Sequence, residues 1–232
     1  MARARRQDDL LPALRQLDVA AVLLVHGAGS GPWVYDGWHG AFGGEARVEA
    51  VDLQEGLDVA RASMADYAAA VTREARILPR PLAVCGWSLG GLAAMLSAQH
   101  EAPDALVLIE ASAPAEVQGV DSGIVPAPGT FDPEEVYGAF PAGMRSRPES
   151  SFARAERKRG IPVRSLPCPT LVVDGSDFPD ERGRELARIY GAAELAFPEL
   201  DHWQLVLNPR VPAAVATWLA DPGSRIHFQE TA

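Results

Sequence analysis

The sequence predicts an α/β fold, a mostly parallel central sheet with helices on both faces and a small helical lid. Short strand-like runs recur at 20–25, 47–51, 82–85, 105–109, 170–173 and 194–197, each the length of a strand and too short for a typical helix. Stretches with helical spacing separate most of them, and strands that alternate with helices build a parallel sheet covered on both sides. An apolar content of 47% in 232 residues is ample for one core of that size. Residues 1–232 are therefore expected to form a single domain.

Taken in order, the first run, 20–25, is continuously apolar and leads into His26-Gly27-Ala28-Gly29-Ser30-Gly31-Pro32-Trp33. After the second run, 63–78 reads as a helix: Ser63 stands as N-cap with Asp66 three residues on, and Met64, Tyr67, Ala68, Val71 and Ala75 recur at helical spacing. The third run passes through Gly86-x-Ser88-x-Gly90 into an apolar helix, 89–100. Further helices fit 181–190 and 211–220. Little chain precedes residue 20, so an additional hairpin at that edge of the sheet is expected to be reduced or absent.

The interval 111–167 interrupts the alternation. It has no strong strand signal, is dense in proline and glycine as far as Pro148, and holds two helix-like pieces, 133–140 and 149–159. A segment this long without strands in a compact domain is usually functional. It is expected to be a lid insertion, with Phe131, Tyr137, Phe140, Met144 and Phe152 as candidate lining residues. Its basic run, with Arg157, Lys158 and Arg159, reads first as a solvated helix face and second as a docking site for an acidic carrier or substrate tail.

The turn at Ser88 carries the chemistry. Strand must pass sharply into helix with the serine at the apex, and glycines two before and two after keep side chains out of the bend. The following helix aims free N–H groups and its positive dipole end at the same point. Together these motifs, Gly86-Trp87-Ser88-Leu89-Gly90-Gly91 and His26-Gly-Ala-Gly-Ser-Gly-Pro-Trp33, resemble those of the α/β-hydrolase superfamily, and the elbow is similar to that of small carboxylesterases. The second motif also resembles plant-type hydroxynitrile lyases. The resemblance spans about residues 19–219 and implies the α/β-hydrolase fold, with the backbone N–H groups of Ala28 and Leu89 forming an oxyanion hole. It places Trp33 and Trp87 at the substrate. His26 reads as a structural residue that shapes its loop.

The superfamily order of serine, acid, histidine points to a base near the C-terminus. Of the five histidines, His202 lies on a loop between a short strand and a helix, His100 ends the helix after Ser88, and His39 and His227 stand in polar segments. His202 is the expected base. For the acid, Asp177 ranks first, although it falls two residues after Gly175 where the usual pattern places an aspartate three residues on. Glu110, at the end of the 106–109 strand, is the next candidate; Asp174 and Asp180 have less support. The implied reaction is hydrolysis of a small-molecule carboxylic ester, thioester or lactone through an acyl-enzyme, without cofactor or metal. Alternatives are a non-catalytic signal-binding protein on the same fold, or a hydroxynitrile lyase-like enzyme; the latter typically wants a pocket lysine, and Lys158 is the only lysine.

Composition excludes other classes. A formal charge of −10 argues against nucleic acid or an anionic membrane as partner. Neither G-x-G-x-x-G nor G-x-x-x-x-G-K-[ST] occurs, so nucleotide binding is unsupported. Cys85 and Cys168 are expected to be free thiols. Asp8 and Asp9 follow the basic residues at the N-terminus with no apolar signal-peptide core. A cytoplasmic protein is expected.

Overall fold

The computed structural model describes residues 19–44 and 46–221. The acidic–basic N-terminal stretch, any hairpin before residue 19, and His227 lie outside the described residues. In chain order the elements are β1 (Ala21–Val25), β2 (Arg47–Val51), α1 (Met64–Ile77), β3 (Leu82–Trp87), α2 (Leu89–Ala98), β4 (Ala105–Ile109), α3 (Ala115–Gln118), β5 (Thr130–Phe131), α4 (Pro133–Tyr137), β6 (Glu149–Ser150), α5 (Ser151–Arg159), β7 (Thr170–Asp174), α6 (Glu185–Tyr190), β8 (Ala193–Ala196), α7 (Gln204–Leu207) and α8 (Arg210–Ala220).

Six strands form one sheet in the order β2-β1-β3-β4-β7-β8, and every pairing in it is parallel. Successive side chains point to opposite faces, and both faces are apolar. Leu23, Val25, Val84, Leu106 and Leu108 pack with Met64, Tyr67 and Val71 of α1 and Leu92 and Met95 of α2. Val22, Leu24, Cys85, Val107 and Val173 pack on the opposite side with Val211, Val215 and Trp218 of α8. Continuous apolar runs, rather than alternating ones, follow from this double coverage. No helix among the described residues is long and apolar enough to cross a membrane, and both cysteines are free.

The six expected strands match in place to within two residues, and the expected helices follow with small differences. The helix expected over 181–190 begins instead as a wide π-type turn, Pro179–Arg184, before α6. Within 111–167, β5 and β6 pair as an antiparallel ribbon of two residues each, too short to leave a periodic signal in the sequence.

That segment is tied down at the ends of β1 and β2. The Arg147 guanidinium donates to both oxygens of Asp52 at 2.8 and 2.9 Å and to the Ser30 carbonyl. The buried Glu149 carboxylate accepts from the Gly29 N–H at 2.9 Å, from its neighbour Ser150 N–H at 2.7 Å, and from the Tyr67 hydroxyl of α1. The Gly29 loop and the 111–167 segment are thereby held as one unit.

The capping box expected at α1 is present: the Ser63 Oγ accepts from the Asp66 N–H at 3.1 Å, and the Asp66 carboxylate accepts from the Ser63 N–H at 2.9 Å. Replacing an N-cap serine by alanine costs about 1 kcal/mol. Ser63→Ala should lower the unfolding free energy by that amount in urea titration, with the m-value unchanged.

Candidate active site

The carboxyl ends of β1, β3, β4 and β7 meet around Ser88. Ser88 follows β3 and serves as N-cap of α2, with φ 55° and ψ −122°. Its N–H donates to the Ile109 carbonyl at 3.0 Å and its carbonyl accepts from Ser112 at 2.8 Å. The bend is possible because side chains are missing where backbones touch. A Cβ on Gly86 would stand 2.6 Å from the Gly90 carbonyl oxygen, and one on Gly90 would stand 2.3 Å from that of Val25. Strand, turn and the loop after β1 are thus packed backbone on backbone.

Ser88 and Glu110 are the non-glycine residues with positive φ among those described, Glu110 at 38°. Both follow directly on the ends of neighbouring strands. Strained backbone persists only where the surroundings hold it, and it clusters at functional sites.

His202 completes the arrangement. Its Nδ1 lies 2.5 Å from Glu110 Oε2, and Glu110 itself is fully buried. The second oxygen, Oε1, accepts the Gly175 N–H at 3.0 Å. The imidazole packs against the Trp87 ring at 4.8 Å, and the Trp87 Nε1 donates to the His202 carbonyl at 3.1 Å. Phe178 meets the imidazole edge-on at 6.1 Å. With Nδ1 bound to Glu110, Nε2 is the nitrogen left for chemistry.

The expected acid contact is corrected here. Asp177 is exposed and accepts the backbone N–H of His202 at 3.2 Å, with the Ser176 hydroxyl on its other oxygen. The Asp177 carboxylate, on the loop after β7, thus meets the main chain of the histidine loop. Glu110 reaches the ring from β4 instead. Asp174 lies at the end of β7, and its buried Oδ1 has no partner. Asp180 pairs with Arg184 at the surface.

Ser88 and His202 open onto one cavity of about 220 Å³, lined also by Ala28, Trp87, Phe140, Phe178 and Trp203. The N–H groups of Ala28 and Leu89 have no protein acceptor among the described residues. His26 is buried; its Nε2 accepts the Leu53 N–H at 3.1 Å, so its Nδ1 carries the proton and points to the Gly27 carbonyl. It shapes the loop, as the sequence suggests. Trp87 lines this cavity, whereas Trp33 lines a separate depression with Met144, Val206 and Pro212 and stacks under Arg147 at 4.9 Å. Neither Trp33 nor Met144 is among the residues lining the cavity at Ser88.

Of the residues that line this cavity, Trp203 and Arg182 carry no signal in the sequence and Arg157 carries only that of its basic run. Trp203 adjoins His202 without a spacing of its own. Arg157 belongs to the run read as a solvated face, yet it is buried while Lys158 and Arg159 are exposed. Arg182 sits in the wide turn before α6. No cluster of three or more metal-ligating side chains occurs among the described residues.

The Asp174 carboxyl supplies a pH test. Burial, reinforced by the nearby charges of Glu194 and Glu110, raises it from an ordinary 3.8 to about 7. Between those values the folded protein holds a proton that the unfolded chain has released, so stability falls as pH rises through the window. Asp174→Asn should remove this component. The unfolding free energy of wild type relative to the variant, followed in urea, should decline from pH 4 to pH 7 and level off above.

A family model described as "Alpha/beta hydrolase family" matches residues 22–218. No curated protein matches the chain in sequence. Among solved structures it is similar to a pyrethroid hydrolase from Sphingobium faniae JZ-2, with 19% identity over 87% of this chain and 97% of the other and a TM-score of 0.66. It is also similar to polyneuridine aldehyde esterase, 16% identical over 88% of this chain and 100% of the other at a TM-score of 0.62. ClbQ from the colibactin NRPS/PKS pathway is 18% identical over 85% of this chain and 95% of the other, with a TM-score of 0.60. Since the family model covers most of the chain and the all-parallel sheet carries the turn at Ser88 where that fold requires it, the chain belongs to the alpha/beta hydrolase family.

Proposed function

We propose that this protein is a serine hydrolase of small carboxylic esters, with Ser88 as nucleophile, His202 as base and Glu110 as the carboxylate that orients the imidazole. The observation that carries this reading is the Glu110–His202 contact of 2.5 Å beside a strained serine turn on a shared cavity. The esterase and hydrolase among the similar structures support it.

The steps follow from the groups present. His202 Nε2 takes the Ser88 hydroxyl proton as Oγ attacks the ester carbonyl carbon, and the carbonyl oxygen becomes an oxyanion held by the Ala28 and Leu89 N–H groups. Glu110 keeps the neutral imidazole in the tautomer with its proton on Nδ1, then stabilises the imidazolium. That imidazolium protonates the departing alcohol as the C–O bond breaks, leaving an acyl-Ser88. A water, deprotonated by His202, attacks the acyl carbon; the acid leaves and the serine regains its proton. The sole lysine, Lys158, is exposed on α5, so no lysine stands ready for a leaving cyanide.

Ser88→Ala should abolish labelling by a fluorophosphonate and lower ester turnover by several orders of magnitude, the residual rate coming from the oxyanion donors. Labelling equal to wild type would contradict the assignment. The two carboxylates then separate by rank. Glu110→Gln should lower kcat by as much as about 10⁴, because the amide favours the wrong tautomer, whereas Asp177→Asn should be mild, since only a main-chain contact changes.

The cavity also limits the substrate. Each buried methylene adds about 0.8 kcal/mol until the space is filled, and the 111–167 segment makes only a small lid. p-Nitrophenyl esters of roughly two to six acyl carbons should exceed long-chain esters in kcat/KM. No jump in rate is expected where the substrate forms micelles; a preference for long chains with such a jump would make the enzyme a lipase.

A further inference from the structure

Two guanidinium groups share the cavity with Ser88, and neither has a carboxylate partner. Arg157 is 9% exposed; its Nη1 donates to the Ser112 hydroxyl at 2.9 Å and its Nη2 to the Tyr137 hydroxyl at 3.1 Å, while its Nε is buried without a partner. Arg182 lies over the Phe178 ring at 3.8 Å, and its Nε is likewise buried without a partner. Both line the cavity. No ion pair within 4 Å involves either residue among those described, although the protein has ten more acidic than basic side chains. Arg80, at the surface, pairs with both Glu101 and Asp104, whereas an exposed arginine without a carboxylate, such as Arg61 or Arg164, keeps its charge in water; Arg157 does not have that recourse.

A buried cation without a counter-charge is costly, and removal from water is what makes it so. Burial accordingly depresses the Arg182 guanidinium below its ordinary range. The nearby charges of Glu181 and Glu110 offset this only in part; neither forms an ion pair with Arg182, and the two oxygens of Glu110 are taken by His202 and Gly175. The carboxylate in the cavity lining, Asp177, is engaged with the His202 N–H and the Ser176 hydroxyl; two under-paired guanidinium groups on the same cavity form a receptor for an anion, and the planar fork of arginine suits a carboxylate. The Arg157 donors already given to Ser112 and Tyr137 hold its plane and leave few for the ligand, which fits a carboxylate monoanion better than a phosphate dianion.

We propose that the substrate is an ester that carries a free carboxylate, held by Arg157 and Arg182 in the cavity they share with Ser88. This rests on the hydrolase reading of the same site. The aromatic walls of Trp87, Phe140 and Trp203 take the methylenes between the two ends, so the charged group sets the substrate's register against Ser88.

Monomethyl adipate and dimethyl adipate share the same four-methylene spacer and differ at the far end, a carboxylate in one and a second methyl ester in the other, so initial rates per ester group are compared. Wild type should hydrolyse the monoanion with kcat/KM on the order of tenfold or more above the diester, and the ratio should fall as salt rises. Arg182→Gln should bring the ratio towards one. Arg157→Gln should do the same, and Arg182→Gln decides the matter if loss of the Ser112 and Tyr137 contacts unfolds the other variant. Binding is measured separately by calorimetry on Ser88→Ala protein, where tighter binding of monomethyl adipate than of dimethyl adipate is expected. Equal turnover and equal binding of the two esters would overturn the anion site and leave the hydrolase reading standing. Selective binding of the monoanion with no turnover of either ester by wild type would uphold the anion site and reject the hydrolase reading. A preference that persists undiminished in Arg182→Gln would overturn the assignment of these arginines.

Discussion

A carboxylate with no access to water has to be held by something, and Glu110 is held by the ring of His202 and the main chain of Gly175. Much of the local structure serves that contact. Burial makes an ionised group expensive unless hydrogen bonds meet it, so the positive φ at Glu110, the Trp87 ring beneath the imidazole and the Gly175 turn after β7 form a set of mutual constraints. Remove the imidazole and the carboxylate is stranded; remove the carboxylate and the imidazole loses the bond that fixes its proton. Three strands, β3, β4 and β7, converge on it from their carboxyl ends, which is where an open parallel sheet leaves room for a ligand.

The second constraint is close approach. Gly90 has the main chain of Val25 and His26 where its Cβ would stand, so the serine turn and the loop of Ala28 cannot move apart independently. Backbone packing therefore sets the positions of the Ala28 and Leu89 N–H groups on either side of that crossing. Arg147 and Glu149 then tie the outer segment to the same loop. A small cavity with polar groups fixed by buried hydrogen bonds results.

The sheet was legible because strands buried on both faces are continuous apolar runs, and the serine turn was legible because only glycine fits its crossings. Partner choice among carboxylates was not. Asp177 and Glu110 both touch His202, one at the main-chain N–H and the other at the ring, and linear spacing cannot tell those atoms apart. A carboxylate embedded between Ile109 and Ala111 was the available sign, since a charge in so apolar a stretch needs a buried partner. Trp33 misled for a related reason: its distance from His26 in the chain fixes its loop but not the side to which the ring turns. Arg157 was hidden by its neighbours, because a run of three basic residues on a short helix looks solvated although one member points inward.

The central claim is that Glu110, not Asp177, holds the Nδ1 proton of His202. Low-field proton NMR observes such a hydrogen directly, since a short N–H···O contact to a buried carboxylate shifts the resonance far downfield and slows its exchange with water. Wild type and Asp177→Asn should show that signal, and Glu110→Gln should lack it. A signal that survives in Glu110→Gln and vanishes in Asp177→Asn would contradict the account.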